Sequence, residues 1–222
     1  MIIRGKQVTG TKPWYVITRT RRPTMKKYIS ALPINRYNPI FYYRTNNEPA
    51  FDKKTFFPIL PLLKETAETG EEVELLFLVN REDGVTEENK QHFKEELDAA
   101  GFDFKVNYSF KYVGISDSSE AQLNTFITIT DYFNDGDRGY YDITFGTKGL
   151  LLIAINAINY CMSKCDDFEL IKMIYGYLDH HTEMAKGIYS SYTTSFYINK
   201  IVERFPKDRL EEVKPTILNL IG

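Results

Sequence analysis

The stretch DITFGTKG, residues 142–149, joins a tyrosine-rich segment to a long apolar one. This change of pattern predicts a strand over 139–145 that turns directly into a helix over 146–161. Gly146 allows the sharp turn, and Thr147 can cap the helix. The stretch therefore predicts a strand–helix unit of the kind that builds parallel sheets.

The polar residues of this turn indicate a site for an anion. Asp142 and Thr144 alternate with Ile143 and should lie on one face of the strand. An unpaired buried Asp is costly, so Asp142 is predicted to hold backbone amides of the neighbouring loop. The helix start offers free N–H groups and the positive end of the helix dipole. Lys148 adds a positive charge where the dipole disfavours it, which indicates an anionic partner such as a phosphate.

The alternative is an ordinary glycine-containing turn with a surface lysine. The stretch has neither the spacing G-x-x-x-x-G-K-[ST] of the phosphate-binding loop nor the dinucleotide fingerprint G-x-G-x-x-G. Phosphate binding at this turn is therefore a hypothesis from local chemistry alone.

Strand and helix patterns alternate along the rest of the chain. Further strands are predicted at KKYISAL (26–32), IFYYRT (40–45), VELLFLVN (73–80), FDFKVNYSFKYVGI (102–115) and FELIKMIYGYL (168–178). Further helices are predicted within 55–68, 87–101 and 116–133 and at about 190–204 and 208–220.

Details of three helices follow from their end signals and polarity. Thr86 is the predicted cap of the second helix, with Asn89 at the box position and Gly101 at the stop. Pro58 and Pro61 predict a first helix that starts late or is kinked. The helix after Gly146 is apolar nearly all round, which predicts burial.

This alternation predicts an α/β fold, with a Rossmann-like, mostly parallel sheet, helices on both faces and a short C-terminal helical tail. The predicted organisation is an N-terminal extension at 1–24, the Rossmann-like domain at 25–205 and a C-terminal helix at 206–222. In such sheets, ligands bind beyond the carboxyl ends of the strands where the strand order reverses.

Composition restricts the function classes. The 222 residues carry a net charge of −2, which does not favour duplex nucleic acid as a partner. Cys161 and Cys165 are too few for a disulfide framework or a four-cysteine zinc site, so two reduced thiols are expected. No stretch is long enough to span a membrane and no signal-peptide pattern begins the chain, so a cytoplasmic protein without a membrane partner is expected.

Residues 115–160 resemble the second half of the CRISPR-associated Rossmann fold (CARF) family. One branch of that family has a strand ending in D-I-T-H-G-hydrophobic-R, followed by an apolar helix. This sequence keeps Asp142, Ile143, Thr144 and Gly146, but has Phe145 in place of His and Lys148 in place of Arg. The segments at 26–43, 76–97 and 169–178 are similar to other strands, loops and helices of the family in the same order, so the resemblance covers roughly 25–204.

The resemblance implies a homodimer that binds a cyclic oligoadenylate, a second messenger of type III CRISPR antiviral defence, across its two-fold axis. The sequence leaves the ring size open, with cyclic tetra-adenylate the leading expectation. The ligand-binding residues that the resemblance implies belong to the ends of three strands: Leu32, Pro33, Asn35, Arg36, Asn80, Arg81, Asp142, Thr144, Phe145, Gly146 and Thr147.

No histidine lies four to six residues after a C-terminal arginine, so the R-x4-6-H signature of the effector ribonucleases is missing and a stand-alone CARF module is expected. The resemblance then implies a ring nuclease that needs no metal or other cofactor. In related enzymes a serine after the first strand and a lysine in the second motif act in cleavage, and Ser30 and Lys148 fall at these places. Lys148 would stabilise the transition state, and Ser30 would position the 2′-hydroxyl or a phosphate oxygen.

Two alternatives remain. A non-catalytic sensor would bind the cyclic ligand and regulate a separate effector or transcription, with the cluster Arg19, Arg21 and Arg22 as part of its output surface. The tripeptide Asp179-His180-His181 is the basis of the other alternative, a metal-dependent phosphoesterase, although no upstream D-x-D motif at a strand end supplies further metal ligands.

Overall fold

Strands and helices alternate along the chain in the computed structural model, which describes residues 24–115, 118–179, 186–204, 206–215 and 217. The strands are β1 (Lys26–Ala31), β2 (Tyr42–Arg44), β3 (Glu72–Val79), β4 (Lys105–Tyr112), β5 (Arg138–Asp142), β6 (Glu169–Asp179) and β7 (Lys186–Ser191). The helices are α1 (Ile59–Thr66), α2 (Gly84–Ala100), α3 (Ser119–Tyr132), α4 (Lys148–Lys164) and α5 (Thr193–Arg204), followed by a 3-10 helix at Lys207–Glu212.

The seven strands form one sheet in the order β2-β7-β6-β5-β1-β3-β4. Neighbouring strands are parallel, except for the antiparallel pair β6 and β7. The predicted α/β class with a Rossmann-like, mostly parallel sheet is therefore confirmed.

The strand order reverses between β1 and β5. From β1 the chain first reaches β2 at the far edge of the sheet, and it then returns through α1 to β3 and β4. From β4 it crosses to β5 on the other side of β1. The connections that follow β1 and β5 leave the same edge of the sheet but run on opposite faces, which carry α1 and α4 respectively. This divergence creates the crevice in which open α/β sheets bind ligands.

Two hydrophobic layers cover the sheet. On one face, α1 and α2 pack against strand residues such as Tyr28 and Phe77. On the other, α3, α4 and α5 pack against residues such as Ile29 and Leu76. Neighbours in β1 and β3 thus enter opposite layers, which is why residues 75–79 of β3 are continuously apolar.

Two predictions for α2 need correction. The cap of α2 is Asp83 rather than Thr86, which lies at the third helical position and completes a capping box with Asp83. Asn89 is therefore not a box residue. The predicted stop at Gly101 is confirmed, because this residue ends α2 in the left-handed conformation.

Other corrections concern segment lengths and burial. The strand predicted to reach Phe145 ends at Asp142, and β7 occupies part of the segment assigned to a helix from about 190. The prediction that α4 is buried nearly all round is wrong, because Leu152 remains 64% exposed. The structure places a 3-10 helix at Lys207–Glu212 in the region predicted as a helix from about 208.

Among the helices of the described ranges, none combines the length and apolarity needed to cross a lipid bilayer.

Phe93 should be a principal contributor to stability. It is fully buried, and its ring contacts those of Phe57 and Phe77 at centroid distances of 5.4 and 4.6 Å. Phe93→Ala should lower the free energy of unfolding by about 3–5 kcal/mol, because it leaves a cavity between α2 and the sheet. Urea denaturation measures the change. The control Val202→Ala, at a side chain that is 42% exposed, should stay within about 0.5 kcal/mol of the wild type.

Candidate functional site

The candidate site lies at the edge where β1 and β5 end. Ser30 and Asp142 are register partners in these two strands, and both are almost completely buried. The segments 32–36 and 143–148 follow them directly, so the structure brings the two main groups of predicted ligand-binding residues to one edge of the sheet.

Asp142 is held from two sides. One carboxylate oxygen accepts a hydrogen bond from the Ser30 hydroxyl at 3.0 Å, and the other accepts one from the Thr144 amide at 2.9 Å. The prediction that Asp142 would hold a backbone amide of the adjoining loop is confirmed. Burial raises the pKa of Asp142 to about 6, although the hydrogen bonds to Thr144 and Ser30 favour the charged form.

The network continues to the next strand. The Thr144 hydroxyl accepts a hydrogen bond from the Gly176 amide of β6 at 2.8 Å. The ends of β1 and β5 are thereby connected to the interior of β6 through Ser30, Asp142 and Thr144, and this connection fixes the start of the turn that leads to α4.

Gly146 is required by the shape of this turn. Its φ of +102° lies in a region that residues with a Cβ rarely adopt. A Cβ here would also stand 2.8 Å from Leu150 Cδ2 and 3.1 Å from Ala31 Cβ. The backbone at Gly146 therefore lies close to both β1 and α4, and the residue itself is exposed.

The N-terminus of α4 opens toward this edge. Thr147 caps the helix by accepting the Leu150 amide at 3.1 Å, which confirms the predicted cap. The amides of Lys148 and Gly149 precede the first helical hydrogen bond, which runs from the Leu151 amide to the Thr147 carbonyl at 3.2 Å. The first turn contains no acidic residue, and Lys148 is exposed. Together these features favour binding of an anion.

Phe145, which replaces the histidine of the family pattern, is half-buried. Its ring packs against Phe56 with a centroid distance of 5.3 Å. It thus connects the turn before α4 to the segment that precedes α1.

The loop after β1 exposes some predicted residues and buries others. Leu32 and Pro33 are buried, and the Leu32 amide donates to the Leu78 carbonyl at 2.9 Å. Asn35 and Arg36 are exposed. Direct side-chain contact with a ligand is therefore open to Asn35 and Arg36, whereas Leu32 and Pro33 shape the loop.

Asn89 fixes this loop, a role that the sequence analysis missed. Its amide nitrogen donates to the carbonyls of Pro33 and Asn35 at 2.8 and 2.9 Å, and the side chain is almost fully buried. The signal in the sequence that could have predicted this role was an Asn on the inward face of a predicted helix. The partner segment could not be identified from the sequence because it is more than fifty residues away.

Further along α2, a polar and aromatic group holds the same loop. The Tyr37 ring stacks on His92 with a centroid distance of 3.9 Å. Glu96 accepts hydrogen bonds from the Phe56 amide at 3.0 Å and from the Thr55 hydroxyl. Burial raises the pKa of Glu96, and burial together with the Glu96 charge raises the pKa of Tyr37 to about 12.

The residues after β3 have different surroundings. Asn80 is buried and donates to the Gly114 carbonyl at 2.9 Å, so it joins the ends of β3 and β4. Arg81 is exposed at this edge. Of this pair, Arg81 alone has a side chain free to reach a ligand in the crevice.

Burial also changes the role available to Ser30. Its side chain is engaged with Asp142 and the residue is 1% exposed, so its hydroxyl does not reach the crevice in this arrangement. Ser30 is placed to orient Asp142 and the turn rather than to contact a ligand.

The remaining candidates lie away from this edge or outside the described ranges. Cys161 and Cys165 are free buried thiols, as expected. The arginine cluster at 19–22 and His180 and His181 lie outside the described residues. Within the described part of the chain, no three side chains of His, Cys, Asp or Glu form a group able to hold a metal ion.

No protein-family model and no curated protein matches this sequence. The CARF assignment, drawn from the sequence, therefore stays a prediction. The class that the structure defines is a Rossmann-like α/β domain in which α4 begins at the topological switch point.

The raised pKa of Asp142 predicts a pH dependence of stability. The folded protein binds this proton more tightly than the unfolded chain, whose Asp pKa is about 3.9. The stability that the folded protein gains by binding this proton is therefore complete below about pH 4 and is lost as the pH rises through about 6. Relative to Asp142→Asn, the wild-type free energy of unfolding should fall by about 3 kcal/mol over this interval.

Urea denaturation at a series of pH values measures this difference. The control Asp98→Asn, at an exposed position of α2, should follow the wild-type curve. A difference between wild type and Asp142→Asn that does not vary with pH would contradict the assignment.

Proposed function

We propose that the chain binds a cyclic oligoadenylate across the axis of a homodimer and cleaves it as a ring nuclease of the CARF family, in the cytoplasm. The observation that carries the proposal is the open start of α4 beside the β1–β5 switch point, with its leading amides and the exposed Lys148. This arrangement suits a phosphodiester, because it offers backbone donors, a helix dipole and one mobile cation in a single place.

The exposed positions around the crevice add support. Asn35, Arg36 and Arg81 stand at the ends of β1 and β3, so a ligand anchored at α4 by one phosphate can meet further donors along the same edge. A ligand with several phosphates separated by nucleosides fits such a row of donors better than a single phosphate does.

The exposed apolar surface of α3 and α4 supports the dimer. Leu123, Ile127, Leu152 and Tyr160 are between 45% and 64% exposed. Exposed apolar side chains concentrated on adjacent helices favour a protein partner. Leu152 lies one helical turn after Lys148, so a second copy packed here by two-fold symmetry would bring the two anion sites close together.

In the proposed reaction, the 2′-oxygen of an adenosine attacks its own 3′-phosphorus. The 2′-hydroxyl loses its proton, the bond from phosphorus to the next 5′-oxygen breaks, and that oxygen is protonated. The products carry a 2′,3′-cyclic phosphate and a 5′-hydroxyl. Lys148 and the leading amides of α4 stabilise the negative charge that develops on the phosphoryl oxygens.

In this proposal, Ser30 acts indirectly, by holding the turn after β5 in place. Its hydrogen bond to Asp142 fixes the turn at 143–147, and this turn aims the start of α4 at the phosphate. Holding the phosphate and the 2′-oxygen in line supplies much of the rate increase when no metal takes part.

A non-catalytic sensor is the second candidate. The burial of the Ser30 hydroxyl favours it, because a direct contact between this serine and the 2′-hydroxyl would require the side chain to be released from Asp142. Recovery of the intact cyclic ligand from a stable complex would support the sensor.

Incubation with cyclic tri-, tetra- and hexa-adenylate tests cleavage. Chromatography must accompany mass spectrometry, because a single cut gives a linear isomer of unchanged mass, whereas two cuts in the tetra-adenylate give dinucleotides of half the mass. Lys148→Ala should slow cleavage at least about 100-fold by removing stabilisation of the transition state. The control Lys94→Ala changes an exposed lysine on α2 and should leave the rate unchanged. Failure of wild type to bind any of the three ligands would refute the proposal.

Leu152→Glu should convert the dimer to a monomer, because the change places a charge in the proposed interface. Light scattering coupled to size-exclusion chromatography measures the mass. Val202→Glu, at a position of α5 that is 42% exposed, is the matched control and should remain dimeric. A wild-type protein that is monomeric at all accessible concentrations rules out this interface.

A further inference from the structure

β6 extends beyond the edge at which β5 ends. Asp142, the last residue of β5, pairs with Ile174, whereas β6 continues to Asp179 and pairs there with β7. Tyr175 and Tyr177 lie on this projecting part, immediately beyond the level of Asp142.

The direction of these two side chains follows from Gly176. A Cβ on Gly176 would meet Pro58 Cγ at 2.8 Å and Tyr42 Cε1 at 2.9 Å, so position 176 faces the layer that contains α1. Successive residues of a strand point to opposite faces. Tyr175 and Tyr177 therefore point to the face covered by α4 and α5.

The tyrosines form an exposed aromatic surface with Tyr192, the residue before α5. The rings of Tyr175 and Tyr177 are 5.8 Å apart and inclined by 24°, and the Tyr192 ring meets Tyr175 edge-on at 5.8 Å. Tyr177 is 41% exposed and Tyr192 is 40% exposed. We call these three residues the tyrosine platform.

The tyrosine platform adjoins the candidate anion site. Gly176, between its two strand members, donates its amide to the Thr144 hydroxyl, three residues before the Thr147 cap of α4. The start of α4 and the tyrosine platform lie on the same face of the sheet and at the same edge. A nucleotide whose phosphate binds at the start of α4 would therefore have aromatic side chains beside its base.

We propose that the tyrosine platform stacks against an adenine base of the ligand and makes the site selective for purines. This inference rests on the proposed function and adds the residues that distinguish one base from another. Aromatic side chains next to a phosphate site are the usual means of binding unpaired bases, and purines, with the larger ring system, gain more from stacking than pyrimidines do.

The inference is tested by measuring the affinities for cyclic tetra-adenylate and cyclic tetra-uridylate. These two ligands carry the same phosphates and differ in their bases. Calorimetry should show that wild type prefers the adenylate. Tyr177→Leu and Tyr175→Leu should each weaken adenylate binding at least about fivefold and reduce this preference. Tyr177→Phe keeps the aromatic face and should retain both the affinity and the preference.

Two controls separate stacking from other effects. Lys148→Ala should weaken binding of both cyclic ligands by a similar factor, because it removes a phosphate contact. Tyr112→Leu changes a tyrosine that is 53% exposed at the end of β4 and should change neither affinity.

The outcomes distinguish the two proposals. Adenylate binding with an unchanged preference in both leucine variants overturns the platform and leaves the proposed function standing. Binding of neither cyclic ligand by wild type overturns both. Loss of the dimer in Tyr177→Leu or Tyr175→Leu, measured by light scattering, would assign the tyrosines to the subunit interface and also overturn the platform.

Discussion

A carboxylate buried between the two central strands is the constraint on which the candidate site depends. Asp142 is shielded from solvent, and its oxygens are held by the Ser30 hydroxyl and the Thr144 amide. Thr144 in turn accepts the Gly176 amide from β6. A buried carboxylate that lost these donors would be left poorly solvated, so the network resists rearrangement. The ends of β1 and β5 are thus fixed relative to β6, and with them the start of α4.

The two loops of the crevice are held by different means. The turn after β5 is short, and its shape follows from Asp142, Gly146 and the Thr147 cap. The longer loop after β1 is attached from outside by α2, through Asn89 at the Pro33 and Asn35 carbonyls. The α4 side of the site is consequently preorganised by local contacts, whereas the β1 side depends on a tertiary contact. A multivalent anion would meet a fixed set of backbone amides on one side and exposed side chains on the other.

Three kinds of interaction would contribute to binding of the proposed ligand. The helix start and Lys148 would bind phosphate, and the tyrosine platform would stack against a base. The apolar surface of α3 and α4 would form the contact between subunits that doubles the site. Each has its own measurement: the cleavage rate for charge stabilisation, the base preference for stacking, and the mass in solution for the subunit contact. The proposals on cleavage, base selectivity and assembly can therefore be separated experimentally.

The sequence by itself determined the class of fold, because the alternation of apolar strands with capped helices has periods that are visible locally. It also determined the turn after β5, where Gly146, Thr147 and Asp142 act within a few residues of one another. The tertiary structure alone decided the burial of Ser30, the attachment of the first loop by Asn89, the true cap of α2 at Asp83 and the placement of the tyrosine platform. The cap is a local feature, for which several neighbouring polar residues were candidates. The other features depend on contacts between segments far apart in the chain. Local periodicity carries no information about such pairs, and only the strand order brings them together.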